Sequence, residues 1–297
     1  MTYFPYFWLF IFGSIFGSFL NVVTIRYNPD KGFSNIWSLG GRSHCPFCHK
    51  QLAWYELVPI VSFLFLRGKC RHCGHRISLQ YPLVEFVTAL LFTAVPWQIM
   101  TSLHVSVFGN AHVVAGSLIL AILWTIVFVL FTVLAIIDLK HMIIPDFVNA
   151  SIALCGVAIA GVTQWIRGFD GLQGSFLGHY AMLFGLRDVI WINHLFAAFI
   201  GLLFFGSIIV LSRGRAMGWG DFKLAGALGL LFGWPDVVLV FALAFIIGSI
   251  VSIGLLLKRQ KHMKDAVPFG PFLVIGAAIV FFFGFRLVSM YFGLFTL

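Results

Sequence analysis

The sequence contains little charge. Asp, Glu, Lys and Arg make up 10% of its 297 residues, whereas hydrophobic residues make up 61%, and the mean hydropathy is +1.01. Such a composition excludes an ordinary water-soluble domain. A membrane β-barrel is also excluded, because its strands would give short alternating segments, whereas the apolar runs here are long and continuous. The composition therefore predicts an all-α polytopic membrane protein.

No Lys or Arg precedes the first apolar run, which covers residues 4–25 and is followed by Arg26. A secretory signal carries its positive charge before the apolar stretch, so we expect a retained helix. Seven further runs give about eight transmembrane helices, at 81–100, 113–137, 147–165, 189–211, 224–234, 237–257 and 272–291. The run at 224–234 is short and rich in glycine, which predicts tight packing, and seven spans are the alternative.

Acidic residues are few, ten against nineteen Lys and Arg. The net charge of +9 would suggest a nucleic-acid partner in a soluble protein, but an asymmetry between membrane loops explains it more simply. If alternate loops face the cytoplasm, sixteen of the nineteen basic residues lie on that side, eight of them between residues 26 and 80. This threading predicts a lipid bilayer as partner, no nucleic acid, and both termini on the outer side.

Cysteine is scarce, and four of the five cysteines form two C-x-x-C pairs. Cys45 and Cys48 make the first pair, Cys70 and Cys73 make the second, and 21 residues separate the pairs. Each pair predicts a knuckle that supplies two thiolates, so together they predict a structural Zn²⁺ site. Disulfides are the alternative, which a reducing cytoplasm disfavours. The fifth cysteine, Cys155, is expected to be a small core residue.

Two features accompany these cysteine pairs. The neighbouring histidines are expected to be solvated or to lie behind the ligands, because four cysteines already close a structural zinc site. Between the pairs, the apolar stretch at 54–66 is too short to cross a bilayer. We expect it to lie against the membrane interface or to pack on the helices.

A polar turn separates two strongly apolar runs in Gly218-Trp219-Gly220-Asp221-Phe222-Lys223. An acid beside a membrane segment is costly, so Asp221 is a functional-site candidate. The glycines allow positive φ and a close backbone approach that side chains would forbid. They predict a sharp turn before a helix that starts near Phe222, which places Asp221 at or just before a helix N-terminus. The alternative is that Asp221 only caps that helix, because Asp is among the preferred residues there.

A second acid, Asp138, ends the run at 113–137 on the same predicted membrane face. A helix C-terminus disfavours negative charge by roughly 0.3 to 1 kcal/mol, so a purely structural acid is not expected there. Two nearby carboxyls do not both ionise easily; the ionised one can activate water while the protonated one polarises a peptide carbonyl. The pair predicts peptide hydrolysis by general acid and base. Asp146, after Pro145, is interpreted as an ordinary first-turn acid.

In this order the motifs resemble those of the bacterial type IV prepilin peptidases, membrane aspartyl proteases of the GxGD type that also serve type II secretion. The resemblance covers nearly the whole chain and includes Asp138, both cysteine pairs and the Gly218–Asp221 box with Lys223. The other matching segments are Gly17-Ser18-Phe19-Leu20-Asn21-Val22-Val23, Ile77-Ser78, Tyr81-Pro82-Leu83-Val84-Glu85, Pro145-Asp146 and Pro268-Phe269-Gly270-Pro271.

The resemblance implies that Asp138 and Asp221 are the catalytic aspartates and that Gly218, Gly220 and Lys223 support them. It implies that the substrates are prepilins or pseudopilins, whose short basic leaders are cut at the cytoplasmic face of the bacterial inner membrane. It divides the chain into a first helix (1–25), a zinc-binding loop (26–80) and a peptidase core (81–297).

The resemblance also implies a second activity, methylation of the new N-terminal amine with S-adenosylmethionine, assigned to the zinc-binding loop. The residues give no independent support for it, because no G-x-G-x-x-G follows a strand. Glu85, at the start of the run at 81–100, is a candidate for the methylation site, with an interfacial salt bridge as the alternative.

Two other functions compete with this interpretation. An ion-coupled transporter would use the membrane-edge acids to bind protons or cations, but such folds have internal repeats and midplane sites. The sequence has no such repeat, and both acids lie at one edge. A catalytically silent scaffold held by zinc would tolerate changes at either acid.

Overall fold

The computed structural model describes residues 4–29, 41–102, 111–167, 175–178, 180, 189–258 and 267–294. Its described residues form an all-helical fold in two compact units, Met1–Thr101 and Ser102–Leu297. The first unit has a 3₁₀ turn at Trp54–Leu57 and helices α1 (Phe4–Arg26), α2 (Val61–Phe65) and α3 (Gln80–Ser102). The helices of the second unit are α4 (Ala111–His141), α5 (Asp146–Arg167), α6 (Ile190–Leu211), α7 (Trp219–Phe232), α8 (Asp236–Leu257) and α9 (Gly270–Gly293).

Seven helices in the described part of the chain are long and apolar enough to cross a membrane: α1, α3, α4, α5, α6, α8 and α9. The expected run at 224–234 forms α7, which has 14 residues. At 1.5 Å per residue this helix is about 21 Å long, less than the ~30 Å of a hydrocarbon core. The described part of the chain therefore has seven candidate spans by length, and α7 is too short to be an eighth.

In the first unit, α1 and α3 pack as an antiparallel pair. A side chain on Gly13 would meet Phe92, and one on Gly17 would meet the backbone of Glu85. Further along α1, the Asn21 amide donates a hydrogen bond to the Tyr81 carbonyl at 3.1 Å. Small residues on α1 thus allow the close approach that helices in lipid need for packing.

In the second unit, α7 is enclosed by its neighbours. Nearly every residue from Leu224 to Phe232 is buried. A Cβ on Gly229 would collide with the backbone of Ala198 in α6, so only glycine allows this contact. The expected tight packing of the short run is therefore confirmed, because its small residues let α7 approach α6 closely.

Side-chain amides hold the far end of α7. The Asn193 amide, in the first turn of α6, accepts a hydrogen bond from the Trp234 N–H and donates one to the Trp234 carbonyl, both at 2.8 Å. Because Phe222 packs near Gly206 while Gly233 packs near Asn193, α7 runs antiparallel to α6. The short helix thus returns the chain to the end of the unit where α6 begins, and α8 starts there.

The remaining helices bring distant segments of the second unit together. Helix α9 runs antiparallel to α4, since Phe281 packs on Trp124 while Gly270 lies against Asp138. Asp236, the first residue of α8, is buried, and its carboxylate accepts hydrogen bonds from the Ser175 hydroxyl and the Phe176 N–H. The antiparallel packing of α4 and α9 is what builds the first half of the candidate site.

Candidate active site

Asp138 lies in the last turn of α4 and is only 4% exposed. Its Oδ2 accepts a hydrogen bond from the Gly270 N–H at 2.9 Å, and Gly270 is the first residue of α9. The N–H groups of a first helical turn have no partner within their own helix, so a carboxylate satisfies one of them. The start of α9 therefore offsets the unfavourable position of Asp138 at the end of α4.

Asp221 is the third residue of α7, which begins at Trp219 after the N-cap Gly218. The Gly218 backbone lies beside its carboxyl, since a Cβ on Gly218 would be 3.6 Å from Asp221 Oδ2. Gly218 and not Asp221 occupies the cap position. Asp221 Oδ1 is buried and makes no hydrogen bond within the described residues, so the carboxyl is not committed to capping.

The two carboxyls converge within the second unit, although they are distant in sequence. They are close enough for the charge of Asp138 to act on the Asp221 carboxyl. Asp138 is buried and Asp221 is half-buried, and each lies at the start of a helix, Asp138 on the Gly270 N–H and Asp221 beside the Gly218 backbone. The arrangement supplies two interacting carboxyls, one of which has an unengaged oxygen, as general acid and base chemistry requires.

The expected positive φ at Gly218 and Gly220 was wrong. Gly218 has φ −83°, Gly220 lies inside α7, and the sharp turn is made earlier by Arg213 (φ 53°) and Gly214 (φ 73°). Gly220 is small for another reason, since a Cβ there would lie 3.0 Å from the Ile144 side chain. Its lack of a side chain lets the start of α7 approach the segment that links α4 and α5.

The sequence did not single out Asn149, a buried residue of α5. Its Nδ2 donates to the carbonyl of Gly220, next to Asp221, at 3.4 Å. Its Oδ1 is buried and makes no hydrogen bond within the described residues. An amide among the apolar residues of a predicted span was the available signal, because a buried polar group normally has a partner.

Lys223 contacts neither buried carboxyl through its ammonium group. Its Nζ pairs with Asp146 Oδ1 at 2.7 Å, and both side chains are exposed. The pair joins the first turn of α7 to the first turn of α5, where Asp146 is an ordinary first-turn acid. Lys223 thus helps to hold α7, and an exposed pair of this kind stabilises a fold by about 0 to 1 kcal/mol.

The four predicted cysteine ligands come together in the first unit. The Sγ atoms of Cys45, Cys48, Cys70 and Cys73 all lie within 4.8 Å of one another. Cys45 and Cys73 are 3.9 Å apart, and four sulfurs at 2.3 Å from one tetrahedral Zn²⁺ would be about 3.8 Å apart. All five cysteines of the chain are free thiols, so the disulfide alternative is wrong. The cluster fits a single tetrahedral metal ion.

Each cysteine pair forms the same turn. The Cys45 carbonyl accepts the His49 N–H, the Cys70 carbonyl accepts the Gly74 N–H, and both residues that follow the pairs have positive φ, 55° and 70°. Gly74 therefore occupies the tight turn that the sequence predicted. The N–H groups of Cys48 and Phe47 lower the pKa of the Cys45 thiol to about 7, which favours the thiolate that a metal binds.

The histidines of this region lie outside the metal-ligand group. His75 stacks on Phe47, and His72 lies 3.6 Å from the Glu56 carboxylate. Glu85, the candidate for the methylation site, is buried and accepts the Ile60 N–H at 2.7 Å. An internal hydrogen bond therefore holds this carboxylate, and the described residues show no salt bridge to it, so the interfacial salt bridge considered as the alternative is not formed.

Two protein-family models match the chain. The Bacterial Peptidase A24 N-terminal domain matches residues 11–99, and the Type IV leader peptidase family matches residues 124–253. The first match covers the cysteine cluster and Glu85, and the second covers both carboxyls of the candidate site. The gap between the matches contains the boundary between the two structural units.

Curated relatives align over nearly the full chain. A prepilin leader peptidase/N-methyltransferase of Aeromonas hydrophila is 32% identical over 95% of this chain and 92% of its own length. A protein of the same name from Bacillus subtilis (strain 168) is 29% identical over 95% of this chain and 96% of its own. No solved structure matches.

Proposed function

This chain belongs to the bacterial A24 family of prepilin leader peptidase/N-methyltransferases, and we propose that it cleaves the leaders of type IV prepilins or pseudopilins with Asp138 and Asp221. The observation that carries the proposal is the interaction of the buried Asp138 carboxyl with the half-buried Asp221 carboxyl, which come from separate helices. An aspartic peptidase needs such a pair and no covalent intermediate.

Hydrolysis proceeds by general acid and base catalysis. The two carboxyls share one proton, because two neighbouring carboxylates are not both ionised easily. The ionised carboxyl takes a proton from water as its oxygen attacks the carbonyl carbon of the scissile peptide, and the protonated carboxyl donates to the carbonyl oxygen. Collapse of the tetrahedral intermediate breaks the C–N bond and delivers a proton to the leaving amine. The Gly270 N–H holds the Asp138 carboxyl in place.

The cysteine cluster is assigned to a structural Zn²⁺ held by Cys45, Cys48, Cys70 and Cys73. A closed four-thiolate site leaves no position for substrate, so the ion supplies folding energy to the loop at 26–80 and no catalytic step. We assign methylation of the new N-terminal amine to this part of the chain, with S-adenosylmethionine as methyl donor. Between residues 41 and 79, the described β-structure consists of two isolated bridges. Such bridges do not form the strand and glycine-rich loop of a dinucleotide-type cofactor site.

The catalytic face is assigned to the cytoplasm and the chain to the bacterial inner membrane, with both termini outside. Sixteen of nineteen Lys and Arg fall on the cytoplasmic side of this threading. The antiparallel course of α7 supports this threading. If α7 is counted as one passage, the helices from α1 to α9 give an even number of passages, and an even number places both termini on the same side. Asp138 and Asp221 lie at the end of the second unit that also carries Lys140 and Lys223.

Replacing either aspartate with asparagine tests the proposal. Asp138→Asn and Asp221→Asn keep size and polarity but remove the acid, so cleavage of a purified prepilin in detergent should fall about a thousandfold or more. Intact mass of the product separates the two activities, since leader removal and methylation give different mass changes. Asp146→Asn is the matched control, because Asp146 is an exposed acid that forms an ion pair with Lys223.

Metal content and thermal unfolding of each variant show whether the fold has survived. Full cleavage by a folded Asp138→Asn or Asp221→Asn protein would reject the two-carboxyl mechanism. Loss of cleavage in Asp146→Asn equal to that in Asp221→Asn would show that any acid in this region is needed for structure, and would remove the support for the assignment.

A further inference from the structure

The segment between the two cysteine pairs exposes large apolar side chains. Trp54 is 79% exposed and Phe65 is 83% exposed, and Leu57, Val61 and Leu64 are exposed as well. We call residues 54–65 the apolar segment. Clustered apolar side chains on a surface mark a contact with another apolar partner, since water would otherwise hydrate them at a cost.

The charge around the apolar segment has one sign. Residues 41–79 contain six Lys and Arg and a single acid, Glu56. Glu56 is buried, and its Oε2 accepts the Ala53 N–H at 2.8 Å. The exposed charge of this region is therefore positive, at Arg42, Lys50, Arg67, Lys69, Arg71 and Arg76. A polar face of Lys and Arg beside exposed Trp, Phe and Leu is typical of segments that bind anionic lipid surfaces.

A buried hydrogen bond fixes the depth of the apolar segment within the first unit. The Ile60 N–H donates to Glu85 Oε2 at 2.7 Å, and the Glu85 backbone packs against Gly17 of α1. Glu85 is five residues after the first residue of α3, about 7 to 8 Å along a helix that crosses the membrane. Helix α2, which follows Ile60, therefore lies level with the end of a membrane span, where the headgroup layer begins.

The backbone at this anchor is constrained. Ile60 has φ 61° and ψ −50°, a positive-φ conformation outside the usual left-handed region that a β-branched residue rarely adopts. The Glu85 carboxylate holds its N–H in that conformation, so the direction in which α2 leaves the anchor is fixed. The anchor, the exposed apolar side chains and the uniform charge are three independent observations on one segment.

We propose that the apolar segment is seated in the headgroup layer of the bilayer and that its cationic surroundings select anionic phospholipid. Trp54, Leu64 and Phe65 enter the boundary between headgroups and acyl chains, and Arg67, Lys69 and Arg76 contact the phosphates. A second copy of this chain fits less well, because it would bring the same positive surface against itself. A basic prepilin leader is repelled for the same reason.

Photocrosslinking identifies the occupant directly. Phe65→p-benzoylphenylalanine keeps an aromatic ring at the position of the most exposed large apolar side chain of the apolar segment. The full-length protein is irradiated in nanodiscs that contain phosphatidylglycerol and phosphatidylcholine in equal amounts. Intact mass spectrometry should show lipid adducts, with phosphatidylglycerol favoured about fivefold, the enrichment expected of one surface cation. Phe86→p-benzoylphenylalanine, at an exposed position of α3, is the positive control for reaction with lipid.

Adducts that join two polypeptides, or that join position 65 to the second unit, would overturn the proposal. So would the absence of lipid adducts at position 65 when position 86 gives them. Zinc content confirms that the substituted protein keeps its cysteine cluster, and a variant that has lost zinc is replaced by Leu64→p-benzoylphenylalanine.

A second pair of variants tests the lipid selectivity. Combining Arg67→Gln, Lys69→Gln and Arg76→Gln with the photoreactive residue should return the adduct ratio to the lipid mole ratio while adducts persist. Arg71 is left intact because it donates to the Tyr55 hydroxyl. Arg213→Gln, Arg215→Gln and Lys258→Gln remove the same charge from the second unit and should keep the preference. An unchanged ratio in the first triple variant would refute the anionic selectivity.

Discussion

The cysteine cluster and the carboxyl pair are built in different ways. The cluster is assembled from two turns of the same form, each closed by its own backbone hydrogen bonds within six residues of chain. The carboxyl pair depends on how α4 packs on α9 and how α7 packs on α5 and α6. A site made by local turns follows from sequence spacing, whereas a site made by helix packing depends on side chains that are far away in the sequence.

The largest expected effect separates the two regions completely. Cys70→Ser removes one of four thiolates, and structural Zn²⁺ binding is worth about 10 to 16 kcal/mol, so we expect zinc content to fall from about one ion per chain to nearly none. Residues 41–79 should then become protease-sensitive, whereas peptidase activity should stay within about tenfold, because the second unit contains its own core. Metal analysis, limited proteolysis and a cleavage assay measure the three outcomes, and Cys155→Ser is the control.

A smaller change should affect the carboxyl pair alone. In Gly270→Ala the new Cβ would lie 2.6 Å from Asp138 Oδ2, so the carboxyl or the start of α9 must shift. A displacement of about 1 Å costs on the order of a hundredfold in rate, which we expect in kcat/KM with zinc content unchanged. Gly293→Ala, at an open position of the same helix, should retain activity. Equal losses in both variants would indicate general damage to α9.

Asn149 offers a finer test of how packing positions the site. Asn149→Ala removes the hydrogen bond to the Gly220 carbonyl, and one such bond is worth about 0.5 to 1.5 kcal/mol. We expect kcat to fall about five- to tenfold while KM changes less than about twofold, because the substituted residue orients Asp221 and does not hold substrate. Ser151→Ala, which removes an exposed hydroxyl from the same helix, is the control. A rise in KM at constant kcat would contradict a positioning role.

The smallest effect is expected at Lys223. Lys223→Gln breaks an exposed ion pair with Asp146, so activity should fall about two- to threefold, and the difference from the unsubstituted enzyme should shrink as salt is added. Cleavage rates at low and high ionic strength give the result. A loss comparable to that of Asp221→Asn would place the ammonium group in the chemistry itself.

These differences explain what could be read from the sequence. The spacing of Cys45 to Cys73 and the turn at Gly74 predicted the cluster because a knuckle is a local structure. Asp138 and Asp221 could be found because acids are rare beside apolar runs. Two contacts could not be predicted: the Gly270 N–H with Asp138, and Asn149 with Gly220. Both depend on the register between helices, and a uniformly apolar helix has no periodicity from which that register could be predicted.

The error at Gly218 and Gly220 has the same origin. These glycines were attributed both to positive φ and to a close approach, and only the close approach is found, at Gly220, where Ile144 lies against the backbone. The left-handed residues that make the turn, Arg213 and Gly214, lie immediately after α6. A glycine required for conformation and a glycine required for closeness look identical in a sequence, and only the neighbouring segment distinguishes them.

The double amide contact of Asn193 with Trp234 has a consequence for where the substrate is cut. Asparagine side chains form hydrogen bonds with the backbone at both ends of α7. Asn149 binds at its start and Asn193 binds just beyond its last turn. Helix α7, which is too short to match the bilayer by itself, is thereby fixed between longer helices. Those protein contacts set the position of Asp221 relative to the longer helices. If Asp221 acts as proposed, we expect the cleavage position to depend on this packing and not on the thickness of the membrane.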